Sequence, residues 1–137
     1  MPDSFHCSLV TPSAALLDEA VTFAAIPAHD GQVGVMPGRA PLMLKLGEGE
    51  LRLDFAEGGS RWFYLSGGFA QMKGQRLTLL TTEAVEAANL VRQDAEASLK
   101  EARARRVRNL EEADRRTAEV ARAKTLLHLA DRVEKGV

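Results

Sequence analysis

The chain has 137 residues, 45% hydrophobic and 27% charged, with a formal net charge of −1 at pH 7. That suffices for one ordinary soluble domain, or a small domain with an appendage. No apolar run approaches the roughly 18 residues of a membrane-spanning helix, the opening MPDSFHCSLV lacks the basic segment and apolar core of a secretory signal, and the lone Cys7 excludes an internal disulfide.

From Ser4 to about Thr82 the chain reads as short strands. Phe5, Cys7 and Leu9 alternate with His6 and Ser8, so Cys7 reads as a small buried apolar residue and not, with His6, as half of a metal site. Val21 and Phe23 alternate across Thr22. Leu42, Leu44 and Leu46 alternate, and Leu51, Leu53 and Phe55 alternate with Arg52 and Asp54. Gly58-Gly59 forms a hairpin pair before RWFYLS, and Gly67-Gly68 leads into FAQM. Leu77 and Leu79 alternate with Arg76 and Thr78, while Leu80 extends the apolar run. Period-two segments about every 8–12 residues, punctuated by glycine, predict an all-β sandwich or flattened barrel.

Residues 82 to 135 contain neither proline nor glycine; the next glycine is Gly136. The segment is rich in Ala, Arg, Glu and Leu, all strong helix formers. Glu96–Lys100, Glu101–Arg105, Glu111–Arg115 and Glu112–Arg116 are spaced i,i+4 with the acid first, the favourable order. Charge changes here too, from 6 basic against 10 acidic side chains in residues 1–91 to 12 against 9 in residues 92–137. Two structural units are therefore expected, a β unit over 1–85 and an α unit over 86–137. A continuous helix of this length would span roughly 65 Å, so a fold-back is expected. Asn109 and Glu112 have the spacing of an N-cap and its capping-box partner, which puts the turn within 107–114. The flanking stripes are thin: Val91, Ala95, Leu99 and Ala102 before it, Val120, Leu127 and Ala130 after it.

Gly31 to Met43, GQVGVMPGRAPLM, has the glycine content of a phosphate loop but not its chemistry. No Lys-Ser or Lys-Thr follows Gly34 or Gly38, and Pro37 and Pro41 remove the N–H donors that a helix start would present. Nor does a catalytic set emerge. His6, His29 and His128 are far apart, His29-Asp30 before glycine reads as an exposed turn, and Ser66 in LSGG lacks the context of a nucleophile elbow. Lys100, Arg103, Arg105, Arg106 and Arg108 form a basic run without interleaved aromatics and with acids on both sides, which disfavours nucleic acid. A solvated helix face and a surface for an acidic protein partner both remain open for it. No catalytic residue, cofactor or metal is expected.

These motifs carry a family likeness. Gly31, Gly34, Pro37, Gly38, Ala40, Pro41 and Leu42, then YLSGGF from Tyr64 to Phe69 with Gly67 and Gly68, then a charged, alanine-rich helical segment resemble the epsilon subunit of the rotary F-type ATP synthase, in order and over almost the whole chain. The resemblance implies a flattened sandwich of about ten strands followed by an α-helical hairpin. It implies a non-catalytic subunit of the central rotor stalk, peripheral at the cytoplasmic face of the inner membrane, with gamma and the membrane rotor ring as partners and no membrane span of its own. The glycine-proline loop would rest on the ring through His29, Asp30, Gly31, Gln32 and Arg39, while Gly34, Pro37, Gly38 and Pro41 shape it. Arg103, Arg105, Arg106 and Arg108 would meet the catalytic-head subunits, and the helices would restrain ATP hydrolysis. One motif departs. Where many bacterial members carry [IL]DxxRA, this chain has LVRQDA (Leu90 to Ala95), with Val91 for the aspartate and Asp94 for the arginine. The alternative alignment at LKEARA, Leu99 to Ala104, puts Lys100 at the acidic position. A free-standing β-sandwich binding module with a helical oligomerisation segment is the competing reading.

Overall fold

The structure, a computed structural model, describes residues 3–134, so Gly136 lies outside the described residues. It divides into two compact units, Met1–Val85 and Glu86–Val137.

The first unit is all β. Its strands are β1 (Phe5–Thr11), β2 (Ala14–Ala28), β3 (Gly31–Val35), β4 (Leu42–Phe55), β5 (Ser60–Lys73), β6 (Arg76–Thr81) and β7 (Ala84–Glu86). They are ordered β1-β6-β5-β4-β2-β3, with β7 on β5. Because β1 also pairs with β2, the circuit β1-β6-β5-β4-β2 closes on itself. The β1–β6 pairing is parallel, and the other registered pairs are antiparallel.

Seven strands replace the expected ten or so, and the reason is local. Leu42–Leu46 and Leu51–Phe55 were expected as two strands but are the two ends of β4; RWFYLS and FAQM are likewise the two ends of β5. Glycine sits at each bend without ending the strand. The β4–β5 register runs on from Leu46↔Gly68 to Glu48↔Ser66, and the β2–β4 register shifts between Ala25 and Ala28. Such irregularities bend a strand while its ladder continues on both sides.

Inward residues follow the alternation. Phe5, Cys7 and Leu9 of β1, Leu51 and Leu53 of β4, Phe63 and Leu65 of β5, and Leu77 and Leu79 of β6 form one buried cluster with Val21, Ile26, Val35 and Leu46. Burying a side chain such as leucine is worth roughly 1.5–3 kcal/mol, so this cluster is the main source of the unit's stability.

The second unit holds a short 3-10 turn (Ala87–Asn89), α1 (Arg92–Ala104) and α2 (Leu110–Glu134). The two helices are antiparallel: Arg92, opening α1, pairs with Asp131 near the end of α2, and Arg105, just past α1, pairs with Glu119 at 3.2 Å. The bend comes slightly earlier than the spacing predicts, because α1 stops at Ala104 and residues 105–109 are not helical. Asn109 does cap α2: its Oδ1 accepts from Glu112 N–H at 2.8 Å, and Glu112 in turn accepts from Arg108 N–H at 2.8 Å. Among the described residues of this unit the buried ones are Ala87, Ala95, Ala102, Ala123, Leu129 and Ala130, mostly alanines that contribute little apolar area each. Val91 lies instead at the extended N-cap of α1 and is 54% exposed.

Candidate functional surfaces

The glycine-proline stretch is a strand between two turns. At its far end Arg39 N–H donates to Met36 carbonyl oxygen at 3.2 Å, and Gly38 has φ +82°. Proline at the second position of a turn and a left-handed glycine at the third are what a type II turn requires, so Pro37-Gly38 is explained by backbone geometry. Gly34 is different. It is extended opposite Ala25, and a Cβ there would lie 3.3 Å from the Phe23 ring. At the near end, His29 N–H donates to Lys45 carbonyl oxygen at 2.9 Å and fixes the β2–β3 turn to β4.

His29, Asp30, Gly31, Gln32 and Arg39 are all exposed. The first four cluster at the β2–β3 turn. Arg39 does not join them, because it follows the opposite end of β3. Four strand steps separate Gly31 from Val35, roughly 13 Å at about 3.3 Å per residue.

A second surface is apolar. Met43 is 70% exposed, Phe69 59% and Leu80 51%. Lys45 and Leu80 both oppose Phe69 across the ladder, and Met43 opposes Gln71, two residues further along β5. Directly paired residues, and residues two apart on one strand, share a face, so the three form one outward apolar patch spanning β4, β5 and β6. The sequence carried one sign of it. In Leu77-Thr78-Leu79-Leu80 the inward residues are Leu77 and Leu79, and Leu80 breaks the alternation because it points outward.

The basic run divides at the end of α1. Arg103 lines a groove of about 660 Å³ with Val107, Arg116, Val120 and Lys124. Arg105, Arg106 and Arg108 line a separate hollow of about 250 Å³ with Glu112 and Arg115. The four arginines therefore line two different hollows. At the substituted motif, Arg92 holds Glu96 at 2.8 Å as well as Asp131, so its guanidinium is engaged within the helical unit.

His6 and Ser66, weighed for catalysis, have structural partners. His6 pairs with Asp18, and Arg76 lies 3.8 Å from the same carboxylate. Ser66 Oγ lies 2.7 Å from Thr82 Oγ1 and 3.3 Å from Glu83 carbonyl oxygen, which fastens β5 to the β6–β7 turn. The Cys7 thiol is pushed up to about 12, first by burial and then by the charge of Asp18; a thiol held protonated is a poor nucleophile. Among the described residues no three of His, Cys, Asp and Glu converge as a metal would need, and no described helix is long and apolar enough to cross a membrane.

Comparison with known proteins adds the family. The family model described as "ATP synthase, Delta/Epsilon chain, beta-sandwich domain" matches residues 4–87. The ATP synthase epsilon chain of Rhodopirellula baltica is 40% identical over 99 residues, 72% of this chain and 77% of that protein. The epsilon chain of Alkalilimnicola ehrlichii is 30% identical over 135 residues, 96% of both chains. In overall fold the chain is similar to one in the cryo-EM structure of Euglena gracilis mitochondrial ATP synthase, OSCP/F1/c-ring, at 22% identity and a TM-score of 0.74, covering 99% of this chain and 82% of that one. With its β unit matched to the family domain and 96% of its length aligned to an epsilon chain, the protein belongs to the epsilon subunit family of the F-type ATP synthase.

Proposed function

We propose that this chain is a non-catalytic subunit of the central rotor stalk, joining gamma to the membrane rotor ring at the cytoplasmic face of the membrane. Residues 1–85 perform the coupling, and residues 86–137 restrain ATP hydrolysis. The observation that carries the reading is the outward patch of Met43, Phe69 and Leu80 on a sandwich whose core is already complete. Contiguous exposed apolar residues mark protein interfaces. An extended, paired sheet face also holds its shape, as a part turning with a rotor must. We assign this patch to gamma and the β2–β3 turn, His29 to Gln32, to the ring. The connector arginines Arg105, Arg106 and Arg108 face the catalytic head.

The test is co-purification with gamma. Phe69→Asp and Leu80→Asp place charges on an exposed face, so the sandwich stays folded while gamma is lost from the complex. Retention of gamma in both variants, with wild-type stoichiometry, rejects the assignment of the patch. Self-association of the wild-type chain without any ATPase partner would favour the free-standing binding module.

A further inference from the structure

Four methionines occur in the chain, and three lie among the described residues. Met72 is 1% exposed, inward on β5 between Leu42 of β4 and Leu77 of β6. Met36 and Met43 are 62% and 70% exposed. Met36 belongs to the turn after β3, where its carbonyl oxygen accepts from Arg39 N–H. Met43 belongs to the outward patch with Phe69 and Leu80.

Chemistry sets Met43 apart within that patch. Phe69 and Leu80 carry no lone pair. A thioether sulfur does, and it bears no proton, so two-electron oxidants attack it without prior ionisation. The Cys7 thiol does not compete, because it is buried and held protonated. Met72 is shielded by the core until the unit opens. We infer that Met43 is a modification site for peroxide-class oxidants, and that its sulfoxide switches the outward patch from apolar to polar.

The step balances. A sulfur lone pair attacks one peroxide oxygen and the O–O bond breaks. Hydroxide leaves with the electron pair of that bond and takes up the proton of the transferred oxygen. The sulfide is oxidised to a sulfoxide, and the peroxide is reduced to water.

The register gives the oxygen a consequence. Gln71 faces Met43 across the ladder, and Lys45 follows two residues along β4 on the same face. Both carry N–H donors, at paired and adjacent positions that long side chains span. The oxidised side chain therefore has polar partners beside Phe69, and covering it with an apolar surface costs free energy. Met36 lies outside the patch, so its oxidation leaves the patch apolar. Methionine sulfoxide reductases reverse the change. Control of gamma docking by this oxygen rests on the proposed function; the oxidation itself does not.

The experiment treats the full chain with hydrogen peroxide and maps it by tryptic mass spectrometry. Residues 40–45 and 62–73 fall in separate peptides holding Met43 and Met72 respectively. Met43 should gain its oxygen about tenfold or more faster than Met72, equivalent to about 1.4 kcal/mol of protection, and the rates should converge in urea. Equal rates in the native chain overturn the site. Co-purification with gamma then reads the patch, each chain against its own untreated sample. Oxidised wild type should retain about fivefold less gamma, equivalent to about 1 kcal/mol, while Met43→Leu, still oxidised at Met36, should change by less than about twofold. Reductase treatment should restore the wild type. An equal loss in Met43→Leu places the effect elsewhere and overturns the switch. So does gamma kept by the oxidised chain where Phe69→Asp loses it. Gamma kept by both rejects the assignment of the patch to gamma, while the oxygen mapped to Met43 still supports the modification site.

Discussion

Gly68 and Leu80 approach so closely that a Cβ on Gly68 would lie 1.9 Å from the Leu80 carbonyl oxygen, and Gly68 also holds φ at +119°. Backbone on one side and conformation on the other leave no room for alanine. Gly68→Ala is therefore expected to destabilise the β unit by about 3 kcal/mol or more, in the upper range for single substitutions. Gly38, also left-handed but with open space around it, is the control: Gly38→Val should cost only the conformational term, about 1–2 kcal/mol. Urea unfolding midpoints of both variants measure the difference, and equal midpoints would contradict it.

The opposite ends of β3 separate two roles. If the β2–β3 turn rests on the ring, Asp30→Lys with Gln32→Lys should lower proton pumping in the reconstituted synthase while assembly and ATP hydrolysis persist. Arg39→Ala, in the turn that follows the other end of β3, should leave pumping unchanged. Proton uptake into inverted vesicles measures both, and loss of pumping in the Arg39 variant alone would move the contact to the other turn.

Cys7 makes stability depend on alkaline pH. The folded chain keeps the thiol proton up to about 12, whereas the ordinary thiol releases it near 9.0. Below 9 both states are protonated and nothing changes. Between 9 and 12 the unfolded chain loses the proton first, so stability falls as pH rises, by at most about 1.4 kcal/mol per pH unit. Denaturation of wild type and Cys7→Ala at about pH 8 and about pH 10, on either side of the ordinary thiol value, should show a steeper loss for wild type. The native thiol should also resist alkylation until the chain is unfolded.

Asn109 supplies the only side-chain oxygen that caps α2 in the hydrogen bonds described, through Glu112 N–H. Asn109→Ala should reduce the stability of the helical unit by about 1 kcal/mol, while Asn109→Asp should retain the bond. Thermal melts followed at a helix wavelength separate the two. A melt of the alanine variant that overlays wild type would show that the bend is held by other contacts.

Removing residues 91–137 is expected to leave the β unit folded and the complex assembled, and to raise ATP hydrolysis. Replacing Arg103, Arg105, Arg106 and Arg108 with alanine should raise it less, because charge is lost while the helices remain: only Arg103 lies within one, and alanine keeps helix propensity there. The arginine effect should shrink as salt shortens the screening length. Hydrolysis equal to wild type in both variants, measured at low salt, would leave these arginines a solvation role only.

Much of this architecture was legible because alternation is a property of each strand by itself. Phe5, Cys7 and Leu9 are inward as their spacing predicts, and Asn109 marks the start of α2 through chemistry confined to four residues. What was not legible depended on distant partners. Gly67-Gly68 reads as a turn, since glycine punctuates, yet β5 continues through it because Leu80 of β6 crosses there. The apolar patch likewise needs Met43, Phe69 and Leu80 brought together by register from three segments. The hollow at the bend was half visible: the arginine run was evident, but Arg103 turning away and Arg115 joining required the helices to be folded back.

The closed circuit of β1, β6, β5, β4 and β2 also has a mechanical meaning. A ribbon of strands with two free edges twists readily, because its edges slide past each other. Joined edge to edge, the same strands form a tube, and torsion must then shear every hydrogen-bonded seam at once. The seam between β1 and β2 is what separates the two cases, so loosening that one pairing should soften the whole unit to twist while leaving most of its core in place.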